Sequence, residues 1–446
     1  MTPHRPKVDR KQIALAAAAL AVVAAFILLN RSAYDGFFTD DELDNLSWAP
    51  GYPLVYFLKT LVSPFFDISN FRPVGHVYFK IMGRLFGLDF APYMTPIFGF
   101  HLLNGSLLYA ILRRMKVGAW QSLAGATFFL LSAGAFDAYW KPMYVFDLFC
   151  TTFCLLSVLF YAHGRTVLAF IAYWLAYRSK ELAVMLPAVL VLYEYWFGER
   201  RFLKLVPFLL ASLSFGVQGI LLNPNRGRNN DYTFHFSLNA LKATVPFYAR
   251  RILLFPFSGI GMFALALTRD RRVWFGLAGM AILVTTLLFL PGRQFIAYAY
   301  LPIAFATIAI ASALANVRPA WIWVALALWM PWNYRELRHE KRAKLDADDQ
   351  AYTFVSRIIG WGVRHPEVET LVYDGVPVNF HHWGTTAAWN MAHHVGPFRD
   401  QRFGPHAFFH DWSEGAAAMK SQTVAYAHWD GSHITIKTHS PGDPIR

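Results

Sequence analysis

Four carboxylates crowd one short stretch of this chain, Phe37-Phe38-Thr39-Asp40-Asp41-Glu42-Leu43-Asp44, just beyond an apolar run that closes at Leu29-Asn30. An ionised carboxylate held near an apolar boundary is a proton acceptor of the kind general-base chemistry uses. A second set mixes cations, acids and imidazoles: Arg72, His76, Asp137, Lys141, Asp147, Arg178, Lys180, Glu181, His235 and Arg293. Arginine and lysine suit a phosphate or another anion, and histidine and aspartate suit proton transfer or positioning. Helix caps and snorkelling side chains account for any single one of these residues. Asp40 and Asp41 in the first turn of a helix would gain a few tenths to ~1 kcal/mol from the dipole alone. Those explanations weaken for the whole set, because all of it falls at one membrane boundary.

That boundary follows from composition. Of 446 residues, 56% are hydrophobic and only 15% charged, against about 25% charged in soluble domains. Apolar runs near the ~20 residues that span a bilayer recur along the chain. We read eleven spans, at roughly 13–30, 92–112, 119–136, 142–162, 166–178, 181–197, 203–222, 245–267, 272–290, 294–314 and 319–334. With the basic N-terminus inside, the short loops holding Arg113-Arg114-Met115-Lys116, His163-Gly164-Arg165, Glu199-Arg200-Arg201 and Arg269-Asp270-Arg271-Arg272 all fall on the cytoplasmic side, as the positive-inside rule requires. The net charge of +13 is then a consequence of topology, and nucleic acid is not an expected partner. Loop 31–91 falls outside. In it, Thr39-x-x-Glu42 fits a capping box, and the segment from Val77 to Phe86 reads as an amphipathic helix lying on the membrane. Residues 238–251 read as a second such helix.

These assignments divide the chain into a transmembrane domain, residues 1–334, and a soluble extracytoplasmic domain, residues 345–446. In the latter, Thr370–Tyr373, Thr423–Tyr426 and Ile434–Lys437 read as strands, the last two joined at Asp430-Gly431. The expected class is an all-α polytopic membrane protein with a small α+β C-terminal domain. Cys150 and Cys154, four apart in one apolar run, are read as packing residues. The tail is rich in histidine, including His381-His382, His393-His394, His406 and His410, but their spacing matches no zinc motif. No cofactor is specified, and a divalent metal stays open.

Several of these features resemble the GT-C glycosyltransferases that use polyprenyl-phosphate-linked sugars, and most closely the protein O-mannosyltransferase-like members. The likeness rests on Asp40-Asp41-Glu42 after the first span, Phe71-Arg72-Pro73 before the second, and His101-x-x-Asn104 within it. It continues with Asp137 and Asp147 ten residues apart, Ser179-Lys180-Glu181 leading to Pro187, and Tyr300-Leu301-Pro302. It covers about residues 13–315. Ser132-Ala133 stands where the family often has His-Pro, and a small histidine-rich tail replaces the helical repeats of the eukaryotic relatives.

The resemblance implies transfer of a hexosyl or pentosyl group, with inversion, from a polyprenyl-phosphate carrier to an extracytoplasmic acceptor in a plasma membrane of bacterial type. It implies Asp41 as the base, with Asp40 as the alternative, and Asp137 as a positioning residue. Arg72, Lys180 and Arg178 are the first phosphate candidates. His76, Lys141, Asp147, Glu181, His235 and Arg293 complete the expected substrate-binding set. Membrane lipid is an expected partner, whereas the sugar and the acceptor (glycan, lipid or protein) are not encoded legibly. A lipid-linked-carbohydrate flippase would also bury charge, but it should carry inverted repeats, and none is visible. A non-catalytic partner of envelope glycan assembly would not need the acid cluster.

Overall fold

In the computed structural model the described residues are 10–65, 72–221, 231–393, 408–409 and 412–443. They divide into two compact units. The first comprises residues 1–31, 63–72 and 96–338, and the second comprises residues 32–62, 73–95 and 339–446.

The first unit is all helical, with a helix at each of the eleven expected places. Six helices among the described residues are long and apolar enough to cross a bilayer, or seven if one bent pair is counted as a span. The difference from eleven has a physical reason. The runs at 119–136, 166–178 and 181–197 yield helices of only 13, 12 and 12 residues, Ala119–Leu131, Thr166–Tyr177 and Leu186–Phe197. Twelve residues rise about 18 Å, well short of the hydrocarbon core. Their flanks are 3₁₀ turns, Ala133–Ala135 and Glu181–Met185, which hydropathy cannot tell from helix. The run at 245–267 is broken too. Leu238–Leu253 and Ser258–Thr268 are bent by 72°, and the break lies between Leu254 and Phe257, both at positive φ.

Packing inside this unit relies on small residues. Side chains at Gly276 and Gly279 would collide with Ala309 and Phe305, so Arg271–Leu288 and Tyr300–Ala313 approach nearly backbone to backbone. Facing outward are Leu20, Leu28, Leu210, Leu213 and Leu221, all exposed. Such surfaces are stable when lipid, not water, is the solvent.

The second unit holds the acid-bearing helix Asp40–Trp48, the helices Leu54–Val62 and Pro73–Phe86, and the C-terminal segment. Pro73–Phe86 is the expected amphipathic helix. It buries Tyr78, Phe79 and Met82 and exposes Ile81, Leu85 and Phe86. The C-terminal sheet has the order β2-β1-β3-β4, where β1 is Thr370–Asp374, β2 Phe408–Phe409, β3 Val424–Trp429 and β4 Ile434–His439. The β3–β4 hairpin is antiparallel, as the Asp430-Gly431 turn predicts, whereas β1 pairs in parallel with both β2 and β3. Parallel pairing requires crossovers, and the helices His382–Ala392 and Trp412–Ser421 supply them. The last expected span does not stop at 334. Its helix runs unbroken from Pro319 to Arg364, because Ala351, Phe354, Val355 and Ile358 continue an apolar stripe that is fully buried.

Candidate functional site

The acid pair is held from three directions within the second unit. Asp348 accepts the Phe37 N–H at 3.2 Å, which fixes the approach to the helix. The capping box forms, with Glu42 accepting the Thr39 backbone N–H at 2.6 Å. The helix His382–Ala392 then packs directly on the acid helix. Asp40 is buried and accepts the His381 backbone N–H at 2.7 Å. Asp41 is half-buried, and its Oδ1 accepts the Trp383 indole N–H at 3.0 Å. Gly384 is required here, since a β-carbon on it would stand 2.8 Å from Asp40 Oδ1. The Trp383 and His381 rings stack at 4.4 Å.

Burial lifts the Asp40 carboxyl from its ordinary 3.8 to about 7. The His381 N–H opposes the shift, while Asp41 and Glu42 reinforce it. The pair is therefore asymmetric in setting: one carboxyl is enclosed and resists ionisation, and the other is more open and carries an indole donor. His76, from the same unit, is buried edge-on against Trp48 at 4.9 Å.

The cations and remaining acids of the expected set belong to the first unit, where two ion pairs form the polar centre. Arg72 meets Glu181 through a two-point fork, Nε to Oε1 at 2.8 Å and Nη2 to Oε2 at 2.9 Å. Lys180 donates to Asp147 at 2.6 Å. The Ser179-Lys180-Glu181 motif thus sends two adjacent side chains to two different partners. Asp147 lies in the first turn of Val145–Ala162, nearer the helix end than its place in the apolar run suggests. Aromatic rings floor the pairs: Arg72 lies over Phe146 at 5.5 Å, and Lys180 over Tyr298 at 4.1 Å.

Arg178 does not join them. It stacks on Trp174 at 4.7 Å and donates to the Ser63 and Phe65 carbonyls. Arg293 stacks on Tyr232 at 4.2 Å and donates to its hydroxyl at 2.6 Å. Asp137 and Lys141 are buried at the two ends of the short helix Asp137–Trp140. His235 is half-buried, and its backbone N–H meets the Phe289 carbonyl at 2.8 Å.

An apolar cavity of about 190 Å³ lies between the helices Leu238–Leu253, Arg271–Leu288 and Tyr300–Ala313. Tyr248 lines it, and its hydroxyl donates to the Arg293 carbonyl at 3.3 Å. The first unit thus holds both an apolar cavity and a cluster of ion pairs. The sequence alone did not single out Tyr248, Tyr298 or Trp383, and it raised His381 only as one of the tail histidines. Tyr298 stands two residues before the Tyr-Leu-Pro motif, and Trp383 directly follows the His-His pair.

Two motif elements prove to be architectural. His101 bonds the Tyr300 hydroxyl at 2.7 Å and the Leu130 carbonyl at 3.0 Å, and Asn104 donates to the same hydroxyl at 3.1 Å. The contact to Leu130 fixes Nε2 as the protonated nitrogen, so Nδ1 accepts from Tyr300. Among the described residues no three His, Cys, Asp or Glu side chains converge to hold a metal. His394, His406 and His410 lie outside the described residues.

No protein-family profile matches the chain, and no curated protein sequence does. Solved structures do match in fold. ArnT from Cupriavidus metallidurans in its apo state is 14% identical, with a TM-score of 0.52 over 94% of this chain and 92% of that one. The same protein bound to undecaprenyl phosphate gives 13% identity and a TM-score of 0.50, over 94% and 93% of the two chains. The arabinofuranosyltransferase AftD from Mycobacteria is 16% identical with a TM-score of 0.51, over 91% of this chain but only 32% of its own length. The chain has the GT-C type of polytopic membrane fold that the motifs led us to expect.

Proposed function

We propose that this protein is a membrane glycosyltransferase that moves a sugar from a polyprenyl-phosphate carrier to an acceptor on the extracytoplasmic side, with inversion at the anomeric carbon. The observation that supports the reading is the pair of ion pairs, Arg72–Glu181 and Lys180–Asp147, in a helical unit that also holds an apolar cavity lined by Tyr248. A long isoprenoid with a phosphate head has this division of character. Fold likeness adds support, because one of the matching proteins is seen with undecaprenyl phosphate and another is by name an arabinofuranosyltransferase.

In this reading Lys180, which keeps two further N–H donors beyond its bond to Asp147, and the Arg72 fork stabilise the departing phosphate. Asp41 is the base. It is the more open of the two acids, and its second oxygen is the one available to an acceptor hydroxyl once Oδ1 holds Trp383. Asp40, closed in and committed to His381, keeps the helix start in place. Asp137 positions the acceptor, and residues 345–446 form an extracytoplasmic domain that contributes to acceptor choice. The membrane is of bacterial plasma-membrane type.

The test is transfer from a radiolabelled polyprenyl-phosphate sugar by the purified protein in liposomes. Asp41→Asn should lower turnover by ~10²–10⁴ with donor binding retained. Donor that crosses the bilayer without being consumed would point to a flippase and overturn the reading.

A further inference from the structure

Four of the five loops that the positive-inside alternation assigns to the cytoplasm meet in the first unit around one cavity of roughly 750 Å³. It is lined by five permanent cations, Arg114, Lys116, Lys204, Arg271 and Arg272, against the three carboxylates Glu194, Glu199 and Asp270. Each carboxylate is already engaged. Asp270 is chelated by Arg272 at 2.5 Å. Glu194, buried, accepts the Tyr161 hydroxyl at 2.8 Å and the Arg201 backbone N–H at 2.6 Å. Glu199 pairs with Arg201 at 2.9 Å.

Arg114, Lys116 and Lys204, by contrast, have no ion-pair partner among the described residues. Lys116 is also held at φ 62°, in the left-handed region that favours glycine. The chain therefore carries a lysine side chain into this cavity from a backbone position where a residue without one would sit more easily. Three helices end at the cavity (Ala91–Arg114, Val145–Ala162 and Leu186–Phe197) and three begin there (at Thr166, Phe202 and Arg271). Their dipoles largely cancel, so the excess of fixed cations stands.

We propose that this cavity binds a phosphate-bearing ligand, at a site separate from the ion-pair cluster of Arg72 and Lys180. Three loops bring five cations into one concave site against three engaged carboxylates, and Tyr161, Tyr193 and Phe197 add an aromatic wall on which a ligand body can rest. The phosphate has two available sources: the headgroup of an anionic phospholipid in the adjacent leaflet, or a water-soluble phosphate compound.

The full-length protein in phosphatidylcholine nanodiscs is titrated with inorganic pyrophosphate by calorimetry. In parallel, discs doped with phosphatidylglycerol are examined by native mass spectrometry for retained lipid. Saturable pyrophosphate binding in the neutral discs supports a soluble ligand, and selective retention of phosphatidylglycerol without pyrophosphate binding supports the headgroup. In whichever arm responds, Lys204→Gln should weaken binding about tenfold, and Lys116→Gln by a similar factor. Lys204 lies in an exposed single turn, so its variant serves if Lys116→Gln fails to fold. Binding in neither arm, or unchanged affinity in Lys204→Gln, overturns the proposal. So does a loss of sugar transfer that parallels the loss of binding, since the site would then be the donor's own.

Discussion

Replacing Asp40 by asparagine removes one ionisation and leaves almost everything else in place. The Asn carbonyl oxygen can still accept the His381 N–H that the carboxylate takes at 2.7 Å. What changes is the response to pH. In the folded protein the carboxyl ionises near 7, against 3.8 in its ordinary state. Between those values the folded state holds a proton that the unfolded state has released, so stability falls as pH rises. The full displacement corresponds to about 4 kcal/mol, and about 2–3 kcal/mol of it accrues between pH 5 and pH 8. The asparagine variant has no such slope at this position. Unfolding of the two purified proteins, followed by tryptophan fluorescence in denaturant from pH 5 to 8.5, should therefore diverge. The variant should gain on the wild type steadily up to about pH 7 and hold a constant advantage above it. An advantage that is flat across this range would mean that Asp40 titrates normally. An Asp40 stabilised as an anion would give the same flat result, because its titration would lie below about pH 4, so a flat advantage ends the enclosed-acid picture.

Trp383→Phe keeps the ring but deletes the N–H that reaches Asp41; turnover should fall roughly tenfold, as expected for a lost bond to a charged group, with donor KM unchanged in the transfer assay. Lys180→Ala strands the buried Asp147 carboxylate and should cost about 3–5 kcal/mol, whereas Lys180→Met combined with Asp147→Leu should recover most of that stability. Donor KM should stay high in both, and a normal KM in the double variant would remove Lys180 from phosphate binding. Tyr300→Phe leaves His101 and Asn104 without their shared partner and should lower the unfolding free energy by about 1–3 kcal/mol, with turnover per folded molecule unchanged.

Much of this was legible because membrane segments advertise themselves. Apolar length located the long helices of the first unit but not the short helix Asp137–Trp140, and the Thr39-x-x-Glu42 spacing located the start of the acid helix. What hydropathy cannot register is how an apolar run is divided. The 3₁₀ turn at Glu181–Met185 and the left-handed residues Leu254 and Phe257 shorten or bend helices without changing hydrophobicity. The site was legible by residue type but not by pairing. Arg178 and Lys180 are nearly adjacent, and charge alone made them equivalent. In the structure Lys180 meets Asp147, while Arg178 turns to backbone carbonyls. The part played by His381 and Trp383 was hidden for another reason. Their partners Asp40 and Asp41 lie more than three hundred residues earlier, and no local pattern encodes so distant a contact.

The paired charges of the first unit bear on how such a protein holds a donor. An unpaired cation in apolar surroundings is costly, so Arg72 and Lys180 are kept with carboxylates whose opposite charge offsets that cost. If these cations take the donor phosphate as proposed, the same carboxylates compete with it for the same N–H groups. Donor affinity is then a difference between two ion-pairing states, and the quantity that matters is how far Asp147 and Glu181 relax when the phosphate arrives. A donor phosphodiester carries one negative charge, as a carboxylate does, so exchange would rest on the placing of its oxygens toward the N–H forks and not on extra charge. Departure of the spent polyprenyl phosphate would let the carboxylates return to their partners. On the proposed reading the ion pairs would both stabilise the empty cluster and limit how tightly the spent carrier is held.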